Sequence, residues 1–488
     1  MGVTNLKQKA ASGMIWTALQ KYSTMAVSFI ADIILARLLM PSDYGYIGML
    51  AIFMGLAENF IDGGFGSALI QKKNPSQTDY STVFHFNIGM AIVFYITLYV
   101  SAPAIADFYQ MPLLSSIIRV QGIIVFIYSF NIIQRNQIRK NLQFKKLSWI
   151  TIISCIVSLS VSVFMAYNGF GVWSLVAQNI LMALIPCIFF WITTNWHPSL
   201  CFSWTSFKEL FGFGSYMFFT HLINTFGNKL NGLLIGRWYD SSTMGYFSKA
   251  EKTENLASMN IASIMIQTTY PLYSSIQDDK ERLVNVIKRI TTTLSFITTP
   301  LLFILLLTAK PVFVLLYSEK WLPCVPYFQL LCIAGLAACL QGVNIQAIAA
   351  IGKSRQMFTW TIVKRTIGII LNVSGLLLWG MEGLLVGAVL ASWFSYIINA
   401  SLVSKYIGYK LHRQLKDLSP AIITSAIAAI ISYFASSLFA FGLYGDGILR
   451  ALIFVVLFIG WSLLFKPSAY NYSALIIKTL IKNNKRKV

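Results

Sequence analysis

Polar and ionisable residues recur at helical spacing inside segments that are otherwise apolar. Lys21, Thr24, Ser28 and Asp32 follow one another at steps of three and four within the apolar stretch 12–39, which places them on one face of a helix. His221, Asn224, Asn228 and Asn231 form the equivalent stripe about 200 residues later. Glu58 and Asp62, four apart, share a face of a second apolar segment. Arg119, Lys229, Lys249, Glu251, Lys252, Glu254, Lys364 and Arg365 lie in further apolar segments. A charge at mid-bilayer costs roughly 2.5–3.5 kcal/mol, so such groups turn toward protein or water. Lys21 is deep, roughly 13 Å from the inner end of its segment at 1.5 Å per residue.

This set suits ligand binding rather than bond-breaking. Lys21, Arg119, Lys229, Lys249, Lys252, Lys364 and Arg365 outnumber the five acids, and a cationic interior favours a phosphate or pyrophosphate. Thr24, Ser28, His221, Asn224 and Asn228 add hydrogen-bonding capacity. Glu58, Asp62, Glu251 and Glu254 are candidates to carry a coupling ion, H+ or Na+. Two arrangements fit the stripes: interhelical pairs in a packed bundle, such as Lys21 with Glu58, or a hydrated cavity between two halves. Recurrence of the stripe on a second, equivalent helix favours the cavity. His221 is a weaker candidate, because a lone histidine in a helix is more often a hydrogen-bonded structural residue.

The elements that must position these groups are membrane helices. The chain has 488 residues, 56% hydrophobic and 11% charged, too apolar for a soluble protein of that size. Fourteen stretches near the length a helix needs to cross a bilayer are predicted at 12–39, 44–70, 80–106, 113–134, 146–166, 171–195, 211–236, 244–276, 285–308, 324–350, 357–378, 383–407, 418–440 and 447–465. Continuous apolar runs argue against a β-barrel, whose strands alternate. The first stretch is too long and too polar for a cleavable signal sequence.

The formal net charge of +21 invites a nucleic-acid reading, but the placement of the 38 Lys and Arg opposes it. Twenty-six fall in loops and termini assigned to the cytoplasm, four (Arg37, Arg237, Lys310 and Lys320) on the opposite side, and eight within spans. That asymmetry predicts both termini in the cytoplasm and an even number of spans. The tail Lys482 to Lys487 reads as a topology signal that also touches anionic lipid. The six cysteines contain no Cys-x-x-Cys pair, so neither a zinc site nor a disulfide framework is expected. The sequon Asn372-Val373-Ser374 lies inside a span and reads as chance.

The chain also repeats itself. Arg37, Gly45 and Tyr46 match Arg237, Gly245 and Tyr246 at an offset of 200, across a short polar turn in each copy. Trp149 pairs with Trp360 at offset 211, and Gly171 with Gly383 at 212. Six spans separate each pair, so the repeats run in parallel about an axis along the membrane normal. The expected organisation is an all-α membrane protein with two six-helix bundles, 1–205 and 206–415, and a C-terminal helix pair with a basic tail at 416–488. A substrate path between the halves implies transport. The outer loops are short, the longest being Lys310 to Pro323, which leaves little room for an outer catalytic domain. No Gly-x-x-x-x-Gly-Lys phosphate loop occurs. Gly63-Gly64-Phe65-Gly66 fits helix packing or a helix break better than a phosphate cradle.

Several short motifs carry a resemblance. Ala36-Arg37-Leu38-Leu39-x-Pro41-x-Asp43-Tyr44-Gly45 resembles the first outer turn of the polysaccharide transporter family, within the multidrug/oligosaccharidyl-lipid/polysaccharide exporter superfamily. Ser67-Ala68-Leu69-Ile70-Gln71-Lys72, Gly245-Tyr246-Phe247-Ser248-Lys249-Ala250, Pro271 through Leu283 and Glu319-Lys320-Trp321-x-Pro323-x-x-Pro326 resemble later segments of that family. The resemblance implies a colanic-acid or O-antigen type flippase, which moves an undecaprenyl-pyrophosphate-linked oligosaccharide across a bacterial inner membrane for lipopolysaccharide or other surface polysaccharide. It implies no cofactor or metal, and partners limited to the lipid-linked substrate, membrane lipid and a coupling ion. A multidrug or lipid II exporter of the same superfamily is the alternative, and a membrane glycan polymerase is a more distant one.

Overall fold

The computed structural model describes residues 3–439 and 441–465, with Tyr470. Every regular element among them is helical. The basic tail, Lys482 to Lys487, lies outside the described residues. By backbone proximity the chain forms two compact units, Met1–Gly245 and Tyr246–Val488.

The first unit contains α1 (Val3–Leu38), α2 (Pro41–Asp62), α3 (Phe65–Gln71), α4 (Gln77–Tyr109), α5 (Leu113–Gln121), α6 (Ile123–Lys140), α7 (Phe144–Tyr167), α8 (Val172–Thr193) and α9 (Trp204–Trp238). Helix α1 packs on α7, α7 on α8, α4 on α6, and α9 on α2, α3 and α4. Pro41 opens α2, where its missing N–H costs nothing. Asp43 Oδ2 accepts the Met40 N–H at 2.9 Å. A reciprocal Ser76–Asp79 capping box opens α4. The glycine run breaks the helix as expected: Gly63 and Gly64 are left-handed, with φ of 54° and 77°, between α2 and α3. The connector 195–203 is pinned to the start of α4. Gln77 Nε2 donates to the His197 carbonyl at 2.7 Å, and the Ser199 and Ser203 N–H groups donate to Ser81 Oγ and Thr82 Oγ1, each at 3.0 Å.

The second unit takes most of α10 (Ser241–Ser275), then α11 (Lys280–Leu307), α12 (Ala309–Tyr317), α13 (Cys324–Ala350), α14 (Ser354–Tyr406), α15 (Leu411–Ser437) and α16 (Gly442–Phe465). The 53-residue run of α14 is two helices folded back on each other. Its backbone leaves helical geometry at Trp379 and Gly380. A Cβ on Gly375 would lie 2.1 Å from the Gly383 carbonyl oxygen, one on Gly383 2.0 Å from that of Gly375, and one on Gly387 2.4 Å from that of Leu371. The two arms are therefore antiparallel and in direct backbone contact, as the eleventh and twelfth predicted spans require. Gly380 has φ 62°, ψ −140°, and Gly171, between α7 and α8, has φ 52°, ψ −131°, a region that side chains disfavour. The conformational counterpart of Gly171 is thus Gly380, three residues before the Gly383 that sequence matching selects.

The C-terminal pair α15 and α16 docks on this unit. Gln414 is fully buried and its Nε2 donates to the Ala400 and Tyr409 carbonyls at 3.1 and 2.8 Å. Lys288 pairs with Asp417 at 3.1 Å. Leu307, Ala428, Ala429, Phe454 and Phe458 close an apolar cluster around the pair.

Ten helices among the described residues are long and apolar enough to cross a membrane, with α14 counted once. Helices α1, α9 and α10 have 36, 35 and 35 residues but are not among the ten. They are the helices whose polar stripes and charges lower hydropathy.

Candidate functional site

In the first unit, α2, α6 and α9 bring a mixed-charge group together. Glu58, exposed on α2, lies near Tyr128 of α6. Asp62, one turn on, accepts the Gly66 N–H at 3.2 Å. Arg135 of α6 acts electrostatically on both acids, and His221 of α9 acts on Asp62. Arg135 and His221 are both exposed. Below this group Asn59 Nδ2 donates to Thr225 Oγ1 at 2.6 Å, joining α2 to α9. Glu58, Asp62 and His221 thus share one neighbourhood, where opposed charges on different helices can hold a charged ligand or exchange one counter-charge for another.

The stripe on α9 is split around that contact. Asn228 and Lys229 are exposed, whereas Asn224 and Asn231 are half-buried and have partners. On α1, Lys21 is half-buried and also has a partner. Thr24 turns its hydroxyl onto the Gln20 and Lys21 carbonyls at 2.8 and 3.1 Å. Ser28 Oγ lies 3.5 Å from Cys155 Sγ of α7. Thr24 and Ser28 therefore border α7. Asp32, on the last turns of α1, is 4% exposed and has a partner. Arg119 stacks 4.7 Å over the Tyr99 ring, and its Nε reaches the Tyr99 carbonyl at 3.5 Å.

In the second unit Lys249 is 1% exposed, with Nζ 4.1 Å above the Tyr317 ring and 5.2 Å from the Trp321 ring. Desolvated contacts of this kind contribute about 2 kcal/mol. Lys252 is exposed, Glu251 half-buried and Glu254 buried. Lys364, 9% exposed, donates to Asn399 Oδ1 at 2.7 Å across the α14 hairpin. Arg365 beside it is half-buried and partnered.

The two repeated turns meet directly. A Cβ on Gly45 would sit 1.8 Å from the Ser241 carbonyl oxygen, and one on Gly245 1.8 Å from that of Pro41. Ser241 and Gly245 stand 200 residues after Pro41 and Gly45, so the contact is reciprocal between equivalent positions. Elsewhere Lys72 bridges Asp79 at 3.0 Å and Glu209 of α9 at 2.9 Å. Its bond to Glu209 holds the Lys72 ammonium above the usual lysine range.

Arg135 and Tyr128 are absent from the sequence-derived set. Hydropathy ends the fourth span at 134, so Arg135 reads as a loop residue, but α6 continues to Lys140. The signal that would have found it is spacing: Tyr128 and Arg135 are seven apart, on one face.

The family profile described as polysaccharide biosynthesis protein matches residues 34–326. The chain is 26% identical over 361 residues to the teichuronic acid biosynthesis protein TuaB of Bacillus subtilis, covering 73% of this chain and 74% of that protein. It is 23% identical over 436 residues to the lipopolysaccharide biosynthesis protein WzxC of Escherichia coli, 88% of each chain. It is 22% identical over 349 residues to the succinoglycan biosynthesis transport protein ExoT of Rhizobium meliloti, 72% of this chain and 71% of that one. Among solved structures, the inward closed conformation of the lipid II flippase MurJ superposes with a TM-score of 0.72 at 14% identity, covering 96% of this chain and 100% of the other. At that identity the likeness is one of fold.

Proposed function

Because the chain belongs to the polysaccharide biosynthesis protein family, we propose that it is a flippase carrying an undecaprenyl-pyrophosphate-linked oligosaccharide across the bacterial inner membrane by alternating access. The observation that carries this reading is the family match across 34–326, joined to relatives named for three different surface polysaccharides. The fold is common to lipid II and multidrug exporters and does not separate them; the family does. Transport by alternating access needs no bond to be made or broken, which agrees with a chain that presents cations, amides and acids rather than a nucleophile with its base.

The rest of the reading follows the sequence. Counting the α14 hairpin as two and adding α1, α9 and α10 to the apolar helices gives fourteen spans, with both termini cytoplasmic. The repeats are 1–205 and 206–415, and α9, first helix of the second repeat, leans on α2 of the first. Lys21, His221, Asn228 and Lys229, with Arg135 added, face the substrate path and compensate the pyrophosphate. Glu58 and Asp62 hold Arg135 while no substrate is present. The test is complementation: a strain lacking its own flippase for a defined surface glycan regains that glycan when this chain is expressed, and loses it again with Lys21→Ala at unchanged protein level. Restored resistance to cationic drugs without glycan export would replace the reading with the multidrug one.

A further inference from the structure

A groove opens beside the C-terminal helix pair. Phe303 and Leu306 of α11 and Ala426, Ala429, Ile430 and Tyr433 of α15 line about 330 Å³ of space. The gap exists because α15 carries alanines at 426 and 429 where α11 presents larger side chains. Ile430 and Tyr433 are 57% and 51% exposed, so the groove is open on one side. Its walls belong to helices apolar enough to cross a membrane. An unfilled gap forfeits dispersion contacts, and inside a bilayer the filler at hand is a lipid chain.

A cation stands at one end of the groove. Arg450 is the one basic residue of α16. Its Nε donates to Ser436 Oγ at 2.8 Å, and its Cζ lies 4.8 Å over the Tyr433 ring. Ser436 belongs to the last turn of α15, and Phe303 and Leu306 lie near the end of α11. The guanidinium therefore sits where both helices end, and the groove runs back along them. A long side chain that leans toward the N-terminus of its own helix carries its charge to the membrane interface in this way. Asp446, one turn earlier on α16, instead accepts the Phe441 N–H at 3.2 Å. Among the described residues no carboxylate pairs with Arg450, and its Nη groups have no acceptor. A guanidinium in a membrane helix is costly without an anion, and its fork matches a phosphate.

We propose that this groove and Arg450 form a binding site for one anionic phospholipid of the surrounding bilayer. An acyl chain lies along Ala426 and Ala429, and the headgroup phosphate sits on the Arg450 Nη groups. A zwitterionic headgroup brings its own ammonium to compete for that phosphate, so the site selects net negative charge. Bound lipid fills the gap between α11 and α15 and fastens the C-terminal pair to its unit. The site rests on the transporter reading only for its leaflet: with both termini cytoplasmic, the helix ends at Leu307 and Ser437 face outward. Its occupancy is testable without any glycan.

In the experiment, the delipidated full-length protein in detergent is titrated with phosphatidylglycerol or with phosphatidylcholine of the same acyl chains. Bound lipid is counted by native mass spectrometry. The thermal midpoint is followed alongside, because a ligand of the folded state raises it. The wild type should bind phosphatidylglycerol at least about tenfold more tightly than phosphatidylcholine, the worth of one charge-assisted contact. Arg450→Gln should bring phosphatidylglycerol down to the level of phosphatidylcholine, and Arg450→Lys should keep part of the preference. Ala426→Phe fills the groove and leaves Arg450 in place. It should weaken both lipids together, and it serves if Arg450→Gln does not fold. Equal affinity of the wild type for the two lipids, or variants that bind phosphatidylglycerol as the wild type does, would overturn the site. Undecaprenyl pyrophosphate that displaces phosphatidylglycerol with higher affinity, and loses it in Arg450→Gln, would overturn the phospholipid assignment and give the groove to the substrate's carrier. A phosphatidylglycerol preference in a protein that exports no glycan would instead count against the flippase reading and leave the site standing.

Discussion

The contact between the repeated turns predicts a specific failure. Gly45→Ala places a methyl carbon 1.8 Å from the Ser241 carbonyl oxygen, and Gly245→Ala does the same at Pro41. Carbon and oxygen rest no closer than about 3.3 Å, so the turns must separate by about 1.5 Å. The opposing atom is backbone and cannot swing aside as a side chain would. Overpacking of this kind costs about 1–3 kcal/mol, which corresponds to a shift of the closed-to-open ratio by about 5- to 150-fold. The assay is the rate at which a membrane-impermeant thiol reagent, added from outside, labels Ser242→Cys at the edge of the contact. Each alanine should raise that rate at least about fivefold and lower glycan export. Gly89→Ala is the control, because a Cβ there meets nothing within 4 Å. Labelling in Gly45→Ala and Gly245→Ala no faster than in Gly89→Ala would refute the closed turn contact.

The substrate reading makes a graded prediction: Lys21→Ala abolishes glycan export with normal expression, Lys21→Arg retains part because charge survives while geometry changes, and Arg135→Ala costs at least tenfold (about 1.4 kcal/mol), more than Arg119→Ala, whose guanidinium is stacked on Tyr99. Equal export by Arg135→Ala and Arg119→Ala, read as surface glycan per cell, would remove Arg135 from the path. For topology, reporter fusions should place Val488 in the cytoplasm and the loop near Lys320 outside; a periplasmic Val488 would break the fourteen-span count.

Much of this architecture is written in periodicity. The all-helical membrane fold, the helix break at Gly63–Gly64 and the division of α14 into two antiparallel arms all follow from spacing and composition, because membrane helices must be long, apolar and internally hydrogen-bonded. Side-chain surroundings were less legible. Lys249 reads as one more interior cation, but the rings that enclose it come from Tyr317 and Trp321, about 70 residues along the chain. Lys364 finds Asn399 only because the arms fold back. Thr24 and Ser28 share a stripe with Lys21, but helix rotation toward α7 decides what each meets, and no local pattern fixes that rotation. Arg135 was missed because hydropathy ends a span where the apolar residues end, while the helix continues.

The most direct test of the account is translocation by the purified protein. Proteoliposomes would carry an undecaprenyl-pyrophosphate-linked oligosaccharide in the inner leaflet, with a glycan-cleaving enzyme added outside. The account predicts that wild-type protein makes the glycan cleavable well above the rate in protein-free vesicles, and that Lys21→Ala returns it to that background. A lipid-linked glycan that stays protected, in vesicles where the same protein moves a cationic dye, would contradict it.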